Sequence, residues 1–229
     1  MKNFSLFILA FFLCSLAFSQ QDLKGELYFG AGGGAMVSNV DFSPTIPQTF
    51  KVGMLGGVSA KYISQKHLGL LAEVNFAQRG WKEDYDTSTG FAYSRTLNYL
   101  EIPLMTHVYF GNRTRFIFNI GPQVSFLLGG KDTMSPELAD DLAARRQENP
   151  EARIGEQYAA LDSLNKVDYG LVGGIGMELK TGIGVFDLEG RYYFGLGDIF
   201  NSRRTKQAYF SRSAARVIEA KLTYYIRIK

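Results

Sequence analysis

Apolar and polar residues alternate along most of this chain, and the alternation is cleanest at its end. From 216 to 228 the even positions Ile218, Ala220, Leu222, Tyr224, Ile226 and Ile228 are all apolar. The odd positions between them, Val217, Glu219, Lys221, Thr223, Tyr225 and Arg227, are mostly polar or charged. A period of two predicts a strand with two unlike faces. The run is longer than the roughly 5–6 residues of an ordinary strand, and long enough for the roughly 9–11 tilted residues that cross a bilayer. If the odd face met lipid, Glu219, Lys221 and Arg227 would sit in or near hydrocarbon, where a basic residue costs ~2–4 kcal/mol at the midplane. The even face carries no such cost, so the charges are expected to point into a barrel.

The same pattern predicts seven earlier strands, over 26–37, 52–63, 67–80, 96–109, 115–128, 167–179 and 183–195. On 26–37 the face of Tyr28, Gly30, Gly32 and Gly34 is small, which makes room inside a narrow barrel for long side chains from opposite strands. Pro103 and Pro122 fall inside strands and cannot donate to the ladder, so a bulge or a local gap in pairing is expected at each. Residues 130–166 break the pattern. Ser135 followed by Pro136 resembles an N-cap and first helical residue, Glu137 to Gln147 is rich in Ala, Leu, Arg and Glu, and Asn149-Pro150 is expected to open a second helix through about Leu164.

Connections alternate long and short, the rhythm of outer-membrane barrels with their short periplasmic turns and long external loops. Outward aromatics fall near expected strand ends, Tyr62, Phe116, Phe186 and Tyr224 at one side and Phe76, Phe126, Tyr169 and Phe194 at the other, where interfacial girdles belong. The expected fold is all-β: an eight-stranded antiparallel up-and-down transmembrane β-barrel with a helical extracellular loop at 130–166.

Composition adds compartment. Residues 1–19 resemble a secretory signal peptide, with Lys2, an apolar core from Phe4 to Phe18, and small residues at Ala17 and Ser19; cleavage is expected before Gln20, leaving 20–229 as the barrel domain in the outer membrane. The single cysteine, Cys14, lies in that leader, so disulfides and cysteine-ligated metals are not expected in the mature chain. A net charge of +3 with scattered basic residues gives no case for nucleic acid. The 25 glycines and 13 tyrosines and 18 phenylalanines suit inward crowding and interfacial belts.

Two stretches carry a family resemblance: the run from Gly69 to Gly80, Gly-Leu-Leu-Ala-Glu-Val-Asn-Phe-Ala-Gln-Arg-Gly, and Tyr99-Leu100-Glu101-Ile102-Pro103-Leu104. With Asp168-Tyr169-Gly170, Gly173-Gly174-Ile175-Gly176 and the run Arg191-Tyr192-Tyr193-Phe194-Gly195-Leu196, they resemble the outer-membrane β-barrel proteins of Bacteroidota called PorT-like. The resemblance covers nearly the whole mature chain and implies the barrel fold. It also implies, as an alternative role, an accessory component of a protein secretion system, although the motifs themselves are general strand features. Many such barrels end in an aromatic residue, whereas this chain ends Arg227-Ile228-Lys229.

Candidate chemistry lies in the inward charges. Lys61, Glu73, Arg79, Glu101, Arg115, Glu178, Asp187, Glu189, Arg191, Glu219, Lys221 and Arg227 are expected to form an interior charge network, with Asp168 and His107 beside it. An eight-stranded barrel is just wide enough for its own side chains, and charges packed there need partners. The network is therefore expected to be structural. No catalytic residue is assigned: a Ser–His mechanism needs a serine in reach of a histidine held by a carboxylate, and of the two histidines His67 falls at a turn and His107 has Tyr109 beside it. Two distant histidines make a poor metal set, and no cofactor is expected. The expected function is that of a non-enzymatic structural or surface-interaction protein with a filled interior. The alternatives are a narrow pore or transporter for small solutes and a soluble lipocalin-like binder with Leu222, Tyr224 and Ile226 turned inward. Expected partners are outer-membrane lipid and an extracellular or secretion-system protein at loop 130–166. That loop serves equally well as a cap over the barrel mouth.

Overall fold

Alternation becomes a closed sheet. The computed structural model describes residues 25–149, 155–200 and 209–228; the expected leader, 1–19, lies outside the described residues. The elements are β1 (Glu26–Ser43), β2 (Gln48–Thr49), β3 (Lys51–Gln65), β4 (Leu68–Glu83), β5 (Tyr93–Gly111), β6 (Thr114–Met134), α1 (Pro136–Glu148), β7 (Val167–Lys180), β8 (Val185–Gly195) and β9 (Arg212–Arg227). The long strands follow one another antiparallel around a ring, and two pairings close it: β4 with β5, and the first strand, β1, with the last, β9. Closure satisfies every sheet edge in the lipid layer, which an open sheet there could not do. The β1–β9 register sets Ala35 opposite Ala220 and Gly33 opposite Leu222.

Burial fixes the sense of the alternation. Ile218, Leu222 and Ile226 are about half exposed on the outer wall, while Glu219, Lys221 and Thr223 between them are buried. The wall is apolar around the ring, from Leu70 and Val74 on β4 to Ile120 on β6 and Ile175 on β7. The small inner face of β1 is a steric requirement: a Cβ on Gly34 would stand 1.8 Å from the Ala220 carbonyl oxygen, and one on Gly30 would stand 2.5 Å from the Tyr225 ring.

At the two prolines the ladder opens without slipping. The β4–β5 pairing lapses opposite Ile102 and Pro103, and the β5–β6 pairing lapses opposite Gly121 and Pro122, yet each ladder resumes in the same register. The true irregularity of β5–β6 lies higher, between Asn98 and Tyr99.

Two expectations need correction. Several strands run beyond the stretches expected for them, most of all β1 to Ser43, β6 to Met134 and β9 from Arg212. The second helix does not form over the described part of 149–164, which instead holds the short 3-10 turns Glu156–Tyr158 and Leu161–Ser163. The first helix forms as expected, with Pro136 in its first turn and the Ser135 hydroxyl accepting from the Leu138 amide. No described helix is long and apolar enough to cross a membrane, which does not bear on strands.

Candidate functional site: a filled interior under an apolar cap

The inward positions form a continuous column. At the short-turn end, Lys61 on β3 pairs with Glu178 on β7 and lies 3.8 Å from Asp187 on β8. Its ammonium sits 4.0 Å over the Tyr225 ring, an arrangement that favours a desolvated cation. Arg115 reaches Glu178 at 3.1 Å from the rim. His107 bonds through Nδ1 to the Asn119 side-chain oxygen at 2.7 Å, and Asn119 donates to Glu189 at 2.8 Å. Buried Tyr28, Ile63, Tyr109, Ile117, Val185 and Tyr225 pack around this end.

Glu73 is the hub of the middle. Its carboxylate accepts two bonds from Arg191, at 2.7 and 2.9 Å, one from Lys221 at 2.7 Å and one from Asn75 at 2.9 Å. Arg191 also donates to Glu189 at 2.8 Å, and Lys221 to the Asn75 side-chain oxygen at 2.9 Å. A two-point guanidinium–carboxylate contact is directional as well as strong. Glu219 is buried directly across the β8–β9 ladder from Arg191. Above this level Arg79 pairs with Asp168 at 2.8 Å and with Glu101 at 3.5 Å. Its guanidinium stacks 4.0 Å from the Tyr99 ring, and the Tyr193 hydroxyl donates to Asp168 at 3.0 Å.

Of the twelve residues expected in the network, ten are fully buried and Arg115 is partly so. Arg227 is the exception. The β9 strand has left the interior by that point, and its side chain is 58% exposed at the rim, 3.2 Å from Glu26. The interior therefore holds one cation fewer than the expected network.

A second, apolar layer closes the long-loop end. Phe42, Trp81, Leu97, Phe200 and Phe210 pack there with Leu138 and Leu142 of α1 and Leu164 from the loop behind it. Phe42 meets the Trp81 ring edge-on at 5.4 Å and lies 4.7 Å from Phe210. Arg95 was missed by the sequence reading, which ended the strand at 96, although it shares its face with Leu97, Tyr99 and Glu101. It is wholly buried, binds Asp132 through Nε at 2.6 Å, donates to the Ala159 carbonyl at 2.7 Å and lies 5.4 Å from the Trp81 ring. Arg95 thereby ties Asp132 and Ala159, on either side of α1, to the long-loop end of β5. Between column and cap a void of about 10 Å³, lined partly by Arg79, Leu97 and Tyr99, has room for about one water.

The cap also holds a carboxyl–phenol cluster, beyond the lipid-facing part of β4. Glu83 accepts from the Tyr158 hydroxyl at 2.9 Å and from Tyr85. Burial pushes the Glu83 carboxyl above its usual range, against the pull of those two donors. Burial likewise pushes the Tyr158 phenol up to about 12.

Residues 18–201 match the family model of the outer membrane protein beta-barrel domain. No curated protein matches the chain. Solved structures with a similar fold include OprG of Pseudomonas aeruginosa (10% identity, TM-score 0.47, covering 88% of this chain and 96% of that one). They also include Ail of Yersinia pestis in complex with the heparin analogue sucrose octasulfate (10%, 0.42, 88% and 99%) and the outer membrane enzyme PagL (10%, 0.36, 87% and 98%). These likenesses concern fold alone.

Proposed function

The chain belongs to the outer membrane protein beta-barrel domain family, and from that premise we propose that it works through its outer surfaces, as a non-enzymatic structural or surface-interaction protein, and not as a conduit. The observation that carries this is the filled cross-section: Lys61–Glu178, Glu73–Arg191–Lys221 and Arg79–Asp168 block successive levels of the barrel, and the Phe42–Trp81–Phe210 layer covers them. Buried charges so arranged have their partners inside the protein and leave no polar lining for a passing solute. The PorT-like strand motifs support a place near that group of barrels, and the α1 face of the cap is the surface it offers an extracellular or secretion-system protein. The histidines favour no hydrolytic reading: His107 is oriented by Asn119, and His67 bonds the Tyr109 carbonyl in a turn.

The test is electrical. Purified protein refolded into a planar bilayer is expected to give no stable conductance steps. A reproducible open level would overturn the closed reading and favour a narrow pore.

A further inference from the structure

The outer wall of β7, β8 and β9 is not smooth. Gly173 and Gly190 face outward, and a Cβ there would approach no atom closer than 3.9 Å and 4.0 Å respectively. Neither position needs glycine for backbone or packing reasons, and their bareness leaves a furrow of about 450 Å³ flanked by Phe118, Ile175, Tyr192 and Ile218. Tyr192 and Ile218 also line a second groove of about 640 Å³, which continues upward under the loop carrying Ile46 and Phe50. The two hollows thus share Tyr192 and Ile218 on one wall, apolar below and mixed polar and apolar above.

The polar end is fixed in place. Arg216 stands one outward position above Ile218. It donates to the carbonyls of Gly195 and Ala215 at 2.9 Å each and to Asp41 at 2.9 Å, and its guanidinium lies 3.9 Å from the Phe194 ring. Arg212 reaches the same Asp41 carboxylate at 3.2 Å. Two arginines against one carboxylate leave a net positive site. It stands at the level of the upper aromatic girdle, where lipid phosphates lie. Arg216 is held on four sides, so little freedom remains to be lost when it binds an anion.

We propose that this wall seats one phosphate-bearing outer-leaflet lipid, with an acyl chain in the Gly173–Gly190 furrow and its phosphate on Arg216 and Arg212. The proposal concerns the lipid-facing wall alone and stands apart from whatever the cap binds.

Native mass spectrometry from dodecyl maltoside micelles containing palmitoyl-oleoyl phosphatidylglycerol tests it. The wild-type barrel is expected to retain one lipid at activation energies that strip the rest. Gly190→Leu fills the furrow from a Cβ that stands 4.0 Å from the Glu219 and Ile175 carbonyl oxygens, with no backbone clash, and is expected to lower that retention at least tenfold, with the heat-dependent gel shift of the folded barrel unchanged. Arg216→Gln is expected to do the same for phosphatidylglycerol. A statistical ladder of adducts, or equal retention by wild type and Gly190→Leu, would mean ordinary annular lipid and overturn the proposal. Gly190→Leu decides the matter even if Arg216→Gln loosens the upper edge of the barrel.

Discussion

Replacing Glu73 by alanine removes the acceptor of two bonds from Arg191 and one from Lys221, all at 2.7 to 2.9 Å. Both cations are buried and stay behind. Breaking a buried pair from one side costs about 3–5 kcal/mol, because the surviving charge is left desolvated. Some relief remains: Glu189 still accepts from Arg191, and the Asn75 oxygen still accepts from Lys221. The lower end of the range, ~3 kcal/mol, is therefore expected, about two orders of magnitude in the folding equilibrium. Glu73→Gln keeps an acceptor oxygen but loses the charge, and should fall between wild type and Glu73→Ala. The assay is urea unfolding in lipid vesicles, followed by Trp81 fluorescence and by the gel shift of the folded barrel. A loss below ~1 kcal/mol, the value of an exposed ion pair, would refute the reasoning: the network would then be bathed in water, and the barrel would not be filled.

Three further outcomes follow from the same geometry. Ile175→Arg puts a cation on the lipid-facing wall and should cost ~2–4 kcal/mol in vesicle refolding yields and unfolding midpoints, whereas Ile175→Leu should be nearly silent. Ser135→Ala removes the N-cap of α1 and should cost about 1 kcal/mol, confined to the cap, so that amide exchange rises over Pro136–Glu148 while the strands keep their protection. Glu83 sets a pH dependence: its folded pKa lies above the ordinary carboxylate value of 4.5, so the folded cap binds a proton more tightly than the unfolded one. Cap stability should then fall as pH rises from about 4.5 through the raised value, and Glu83→Gln should flatten that slope in thermal melts followed by Trp81 emission.

How far the sequence could be read depended on where each residue lies relative to the membrane. Within the lipid layer the apolar residues of each strand face out, and period-two alternation located all eight crossings and the inward charges. Above the layer the sense reverses. On β1, Val40 and Phe42 point inward into the cap, while Asn39 and Asp41 face out. On β5, Leu97 and Tyr99 point in and Thr96 and Asn98 out. A search for one constant sense loses a strand near the reversal, which is why 38–43 fell outside the first expected strand; the fourth ran through the reversal at 96–99 and stopped one residue short of Arg95. Arg227 erred in the opposite direction: the alternation continues, but the barrel has already ended beneath it. The helix expected after Asn149 failed for a different reason. Leu161 and Leu164 carry helical spacing, yet in the structure they serve as anchors into the cap, packing against it and within it respectively. Period-two alternation with Tyr169, Phe186 and Phe194 turns Gly173 and Gly190 outward, but the furrow itself had no sequence signal, because only the fold brings the two onto one patch of wall.

The barrel's inside and outside are set by which face of each strand meets lipid, and one measurement bears on that most directly. A single tryptophan placed at Leu222, in a Trp81→Phe background, can be probed in bilayers by quenchers at known depth. Strong quenching by phosphatidylcholine brominated at mid-chain, with little quenching by aqueous acrylamide, is the result predicted here. Quenching by acrylamide with none from the brominated lipid would contradict it, and the apolar face of every strand would then have to be turned inward.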